Sequence, residues 1–191
     1  MKNFAWLLTT IPLFTACSPA PETDSSAPAA EATAADNSGI QAGVDYHSFS
    51  NPAEVTVTHL DLDLTADFAA SVLSGSATLT YQKQTAQADT LIVDTRDLSI
   101  QSVTANGETL DYQLQPADPE LGAALEIDLP EQANKVTIEY ATSPQASGVQ
   151  WLTPSQTAGK EHPFLFTQAQ AVHARSFIPL QDSPQVRVTY N

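Results

Sequence analysis

The chain has 191 residues, 42% of them hydrophobic, and a formal net charge of −15. After Lys2 the next Lys or Arg is Lys83, which excludes nucleic acid, whose phosphates demand clustered cations, and a surface held electrostatically on anionic lipid. The single cysteine, Cys17, excludes a disulfide within the chain.

The first segment, "MKNFAWLLTTIPLFTACSPA", sets a basic end at Lys2 before an apolar run from Phe4 to Phe14, broken by Thr9, Thr10 and Pro12. That run is too short to span a bilayer as a mature helix and fits the apolar region of a signal peptide over 1–16. Small residues, Thr15 and Ala16, precede Cys17. The segment resembles a bacterial lipoprotein signal, in which cleavage leaves the cysteine as the lipidated amino terminus. An ordinary secretory signal beside an incidental cysteine is the alternative. Ser18 stands where an Asp would, in that pattern, mark inner-membrane retention. The expectation is a lipoprotein of the bacterial cell envelope, in the outer membrane and facing the periplasm. Its acyl chains would hold it on the membrane by about 0.8 kcal/mol for each buried CH₂.

Residues 17–44 are rich in Ala, Pro, Ser and acids. Such a segment cannot bury enough apolar area to offset its ordering entropy, and Pro19, Pro21 and Pro28 oppose an Ala-rich helix. It is expected to be a disordered acidic tether.

Residues 45–191 read as an all-β domain. "EVTVTHLDLDL" (54–64) alternates, with Val55 and Val57 on one phase and Leu60, Leu62 and Leu64 on the other, so a bulge or bend is expected near His59. Strands follow at 73–81, 91–95 and 98–103, and Asn106-Gly107 marks a hairpin leading to 109–114. Further strands are expected at 125–129, 135–140 and 185–190. Short strands with turn signals between them point to an antiparallel sandwich or curved sheet. The chain ends at Asn191, straight after "VRVTY", so the domain is expected to be incomplete at its carboxyl end.

No complete catalytic set accompanies this fold. His47, His59, His162 and His173 form no H-E-x-x-H pair, and the first ligand of an inverted motif ending in Glu161-His162 is missing at Ala158. No G-x-S-x-G elbow and no Gly-rich phosphate loop is present. What remains is "HPFLFTQAQAVHARSFIP" (162–179), where Phe164, Phe166, Gln168 and Gln170 fall two apart. If this is a strand, two amides share a face with two phenylalanines. They either meet water, satisfy buried backbone groups, or form a ligand site, since a carboxamide offers a donor and an acceptor without a charge.

Four stretches carry a resemblance: "SFSNPAEVTVTHLDLDLTADF" (48–68), "LSGSATLTYQ" (73–82), "LIVDTRDLSIQSVTANGETLDYQL" (91–114) and "TSPQASGVQWLTPSQTAGKEHPFLFTQAQAVHARSFIPLQDSPQVRVTY" (142–190). They are similar to the N-terminal domain of leukotriene A-4 hydrolase-like zinc aminopeptidases, peptidase family M1 of the aminopeptidase N superfamily. The resemblance implies a saddle-like, mainly antiparallel β sandwich packed over a thermolysin-like zinc domain. It implies a Gln-x-Gln segment that reaches the cleft, here Gln168, Ala169, Gln170 and Ala171. Gln170 would contact the substrate near its amino-terminal residue, and Gln168 would support it. The family cysteine between them is Ala169 here.

The family's G-x-M-E-N motif, its H-E-x-x-H and its catalytic Tyr fall beyond Asn191 in the pattern, and none is present in this chain. In the family the zinc polarises the scissile carbonyl and activates water. The resemblance therefore implies no catalytic residue and no metal ligand here, with zinc belonging to the full-length enzyme. The partners it implies are peptide amino termini and a catalytic domain, in the same chain or a separate one. A stand-alone lipid-anchored peptide- or protein-binding module is the competing reading. Trp151 is expected to pack, Lys160 and Glu161 to form a solvated or interdomain pair, and His173 and Arg175 to hold the Gln segment by hydrogen bonds.

Overall fold

Alternating β-branched and leucine side chains at the start of the domain build one long strand, β1 (Val55–Asp67). The computed structural model describes residues 45–191. The expected signal segment 1–16, the expected lipidation site Cys17 and the expected tether to 44 lie outside the described residues.

After β1 come β2 (Val72–Lys83), β3 (Thr90–Thr95), β4 (Ser99–Ala105), β5 (Glu108–Thr109), β6 (Tyr112–Leu114) and β7 (Ala123–Asp128). Then follow β8 (Lys135–Ala141), β9 (Val149–Leu152), β10 (Phe164–Thr167) and β11 (Thr189–Tyr190). Two single 3₁₀ turns, Pro154–Gln156 and Ala174–Ser176, are the only helical elements among the described residues. The strands form a six-stranded sheet ordered β11-β1-β2-β8-β4-β5, a three-stranded sheet β3-β7-β6, and a two-stranded ribbon β10-β9. All pairings are antiparallel except β1 with β11.

The phase change in β1 is a bulge. Val57 pairs with Tyr81 and His59 with Thr80, so Thr58 is the extra residue. The bulge lets Val55 and Val57 on one side of it, and Leu60 on the other, all reach the core. The Asn106-Gly107 hairpin is present too. Both residues have positive φ, 51° and 84°, between the paired Ala105 and Glu108, the geometry of a two-residue type I′ turn.

Two expectations need correcting. Residues 109–114 are not one strand. β5 pairs with β4 in the large sheet, whereas β6 pairs with β7 in the three-stranded sheet. The break lies at Leu110 and Asp111, and Tyr112 and Leu114 on the edge strand are exposed. The strand expected over 185–190 forms only at Thr189 and Tyr190. Before it, the chain turns through Ser183 and Val186, whose backbone groups bond to each other.

One core lies between the two larger sheets. Leu91, Val93, Leu125 and Ile127 from one meet Val55, Leu79, Val103, Val136 and Ile138 from the other, all fully buried. Burying each such side chain contributes about 1.5–3 kcal/mol. Tyr140 is buried among them and its hydroxyl donates to the Phe177 carbonyl at 2.8 Å. Burial raises its pKa.

Polar side chains close the domain where strands run out. Arg175 is fully buried. Its Nη1 donates to the Leu121 carbonyl at 2.9 Å, and its Nη2 to the carbonyls of His47 at 2.7 Å and Asp182 at 3.0 Å. Buried Asp94 lies 3.6 Å from Nη1 and accepts from Ser48 Oγ, Phe49 N and Asp182 N at 2.6, 2.8 and 2.9 Å. The segment entering β1 is thereby tied to β3 and to the loop at 182. Beside it, the Gln181 side chain does the work of a strand. Its Nε2 donates to the Val55 carbonyl at 2.8 Å and its Oε1 accepts from Val57 N at 2.9 Å.

Candidate functional site

The ribbon β9-β10 positions the glutamines. Its register sets Phe164 opposite Leu152, Leu165 opposite Trp151, Phe166 opposite Gln150 and Thr167 opposite Val149. Directly paired residues share a face. Trp151 and Leu165 pack on the core, so Phe164 and Phe166 point the other way and are 55% and 43% exposed. Their ring centroids are 6.5 Å apart. Trp151 also meets the Phe68 ring edge-on, with centroids 5.3 Å apart, in the packing role expected of it.

The strand ends sooner than the alternation in the sequence suggests. β10 stops at Thr167. Gln168 adds one further ladder bond, its N–H donating to the Gly148 carbonyl at 2.9 Å, and Gln170 lies in a turn. Ala169 is half-buried and packs against the core, while Gln168, Gln170 and Ala171 are exposed. A small apolar residue between the glutamines is thus what turns both outward.

The two amides are not equivalent. Gln168 Oε1 accepts from the backbone N–H of Gln170 at 3.0 Å, so it is spent on shaping the turn. The Gln170 carboxamide makes no hydrogen bond among the described residues and faces solvent with a donor and an acceptor free. Nothing in Gln168–Ala171 titrates.

The segment after the glutamines is pinned to the entrance of β9. His173 N donates to the Ala169 carbonyl at 2.9 Å, and His173 Nδ1 lies 3.0 Å from Ser147 Oγ. Ser176 Oγ donates to the His173 carbonyl at 2.7 Å and accepts from Gly148 N at 2.9 Å. Gly148 leaves no room for a side chain: a Cβ there would sit 2.7 Å from the His173 carbonyl oxygen and from the Phe177 ring. Val172 holds φ at 75°, a costly conformation for a β-branched residue. Of the two expected supports, His173 reaches the Gln segment through its backbone N–H. Arg175 does so only through the chain it anchors. Sequence reasoning missed β9, Ser147, Gly148 and Ser176, whose contribution is made by backbone fit rather than by residue type.

The hairpin loop between β9 and β10 carries Lys160, Glu161 and His162, all exposed. Lys160 Nζ donates to the Ser155 carbonyl. Two concavities of about 440 and 390 Å³ border this hairpin and share Leu152 and Pro163. A larger concavity, about 600 Å³, lies elsewhere, between Asp45, Ser48, Glu54 and Ser183. Among the described residues no three His, Cys, Asp or Glu side chains gather as a metal site would require. The described residues do not fit a zinc ion.

The model of the peptidase M1 N-terminal domain matches residues 56–191. Leukotriene A-4 hydrolase of Xenopus laevis is 40% identical over 151 residues, covering 76% of this chain and 25% of that protein. Leucine aminopeptidase 2 of Chaetomium globosum is 35% identical over 153 residues, covering 77% and 25%. The bestatin complex of yeast LTA4 hydrolase superposes with a TM-score of 0.72 at 32% identity, over 80% of this chain and 24% of that one. The chain therefore spans about a quarter of the length of the curated relatives it matches. A core held between two antiparallel sheets, the likeness to the solved fold and the match over 56–191 agree, and the chain belongs to the peptidase M1 N-terminal domain family.

Proposed function

We propose that this domain recognises the amino termini of peptides for a lipid-anchored zinc metalloaminopeptidase, with Gln170 as the contacting side chain and Gln168 as its support. The observation that carries this reading is the state of the Gln170 carboxamide, exposed and unpartnered, on a turn whose shape Gln168 fixes from within. Such a group can accept from a peptide ammonium and donate to the first carbonyl together. Ala169 fixes which way the pair points, and Ala171 leaves the turn open for a substrate. The names of the relatives, an aminopeptidase among them, support a peptide ligand. Zinc and the general base belong, on this reading, to a catalytic domain that the described residues do not include. Cys17 as lipid anchor, residues 17–44 as tether and an outer-membrane, periplasm-facing location complete the proposal. They rest on the sequence pattern at the amino terminus.

The test is a titration of the chain with Leu-Ala-amide, followed by the backbone amide resonances of 168–171. Free-amine peptide is expected to shift them, and its N-acetylated form to bind at least several-fold more weakly. In the Gln170→Ala variant the two forms are expected to bind alike. Equal binding of both forms to the unaltered chain would remove the role assigned to Gln170. Metabolic labelling with palmitate, expected in the unaltered chain and absent in Cys17→Ser, checks the anchor.

A further inference from the structure

Strand β10 leaves one of its two hydrogen-bonding edges open. Gln168 N bonds to Gly148 O across the ribbon, and bonded pairs in an antiparallel ladder recur every second residue. Phe166 and Phe164 therefore face β9 with their backbone groups. Leu165 and Thr167 turn theirs the opposite way, where β10 has no neighbouring strand among the described residues. Neither has a hydrogen-bond partner on that side among the described residues. The same alternation holds on the other strand, where Val149 N turns out of the ribbon to Ala146 O.

Exposed edges are usually blunted by a charge, a proline or a covering segment. β5 carries Glu108 and β6 is preceded by Asp111. Pro163 precedes β10, but within the strand, which reads Phe-Leu-Phe-Thr, there is neither a charge nor a proline. Its exposed face is a pair of phenylalanine rings, a surface on which the side chains of an added strand can rest.

The direction of β10 says what fits there. The strand runs from Phe164 toward Gln168 and Gln170. An antiparallel neighbour runs back, so its amino terminus lies beside the glutamines and its later residues beside Thr167 and Leu165. We infer that β10 takes an extended peptide as a third, antiparallel strand, with the free amine at Gln170 and the following residues bonded along the Thr167–Leu165 edge. This rests on the reading of Gln170 given above. It adds a reason for the domain to prefer peptides over single amino acids, because backbone bonds to an edge are indifferent to side-chain type.

The test uses the full chain and the pentapeptide Leu-Ala-Ala-Ala-Ala-amide. Amide hydrogen exchange at Leu165 and Thr167 is expected to slow on binding, and the pentapeptide to bind on the order of tenfold more tightly than Leu-Ala-amide. A single N-methyl group at residue 3 or at residue 4 separates the two faces of the added strand. One of these is expected to lose the gain from lengthening and the other to keep it. In Thr167→Pro, which removes an edge N–H and leaves the β9 ladder bonds in place, the gain and the protection at Leu165 are expected to vanish. Should that variant fold poorly, the N-methylated peptides give the same answer on the unaltered chain. Equal loss from both N-methyl groups, or no protection at Leu165 and Thr167, overturns strand addition. If N-acetylation still weakens binding in that case, the role of Gln170 survives alone. Alternating N-methyl effects without any effect of acetylation would keep the edge, while removing both the orientation and the role of Gln170. Concentration-dependent self-association that Thr167→Pro abolishes, with no peptide effect, would assign the edge to a second copy of the chain and overturn the peptide.

Discussion

Arg175 and Asp182 are joined twice within seven residues: the Arg175 backbone N–H and its Nε both donate to Asp182 Oδ2, at 3.2 and 3.1 Å. The remaining guanidinium donors go to the backbone carbonyl of Asp182 itself and to those of Leu121 and His47, from distant parts of the chain. With Asp94 also buried nearby, removing the cation strands a carboxylate in the interior. Arg175→Met is expected to cost about 3–5 kcal/mol, read as a lower urea midpoint. Arg175→Lys is expected to recover little of this, because an ammonium cannot address carbonyls in several directions with a planar fork.

Gly148 makes a second prediction. A methyl group there collides with backbone at His173 and with the Phe177 ring. Gly148→Ala is expected to cost about 1–3 kcal/mol and to move the amide resonances of Gln168 to Ala171, because Gln168 hangs on the Gly148 carbonyl. Gly159 is the control. It has φ of 80° with open space around its Cα, so Gly159→Ala meets only the backbone penalty of about 1 kcal/mol and is expected to leave those resonances in place.

Acid should loosen the loop that Arg175 grips. The backbone N–H groups of Leu121 and Glu120 donate to Asp118 Oδ1 at 2.7 Å each and lower its pKa below 3.8. A carboxylate depressed in the folded state contributes stability above its unfolded pKa and loses it as pH falls through the folded value. Asp61, depressed by its hydrogen bonds to Asn191 and His59, acts in the same direction. Urea midpoints are therefore expected to be flat near neutrality and to fall below about pH 4. Asp118→Asn, which keeps an acceptor oxygen but no titrating group, is expected to flatten part of that fall. An unchanged acid limb in the variant would assign it elsewhere.

The fold was legible where periodicity and turn chemistry act locally. The phase slip at His59 marked the bulge because a single inserted residue exchanges the two faces of a strand. Asn106-Gly107 marked its hairpin because both positions need positive φ. Residues 109–114 misled because alternation says which side chains share a face, and is silent on which sheet supplies the partner. β9 was missed because the alternation Val149-Gln150-Trp151 is broken at once by Leu152, and four residues are too short a run to read. The glutamines were singled out by their spacing and given a role by resemblance, but their arrangement was not legible. A period of two ran on through Gln170, whereas the chain leaves the ladder once the Gly148 carbonyl has been used.

The amide of Gln181 that completes β1 lies 124 residues beyond Val57. During synthesis at about 5–20 residues per second, β1 waits roughly 6–25 seconds for the side chain that seals it. Until then Val55, Thr56 and Val57 offer a β-branched edge to any other nascent strand. Folding of this domain is consequently a question of timing. The exposure of that edge is confined to that interval, before Gln181 has left the ribosome.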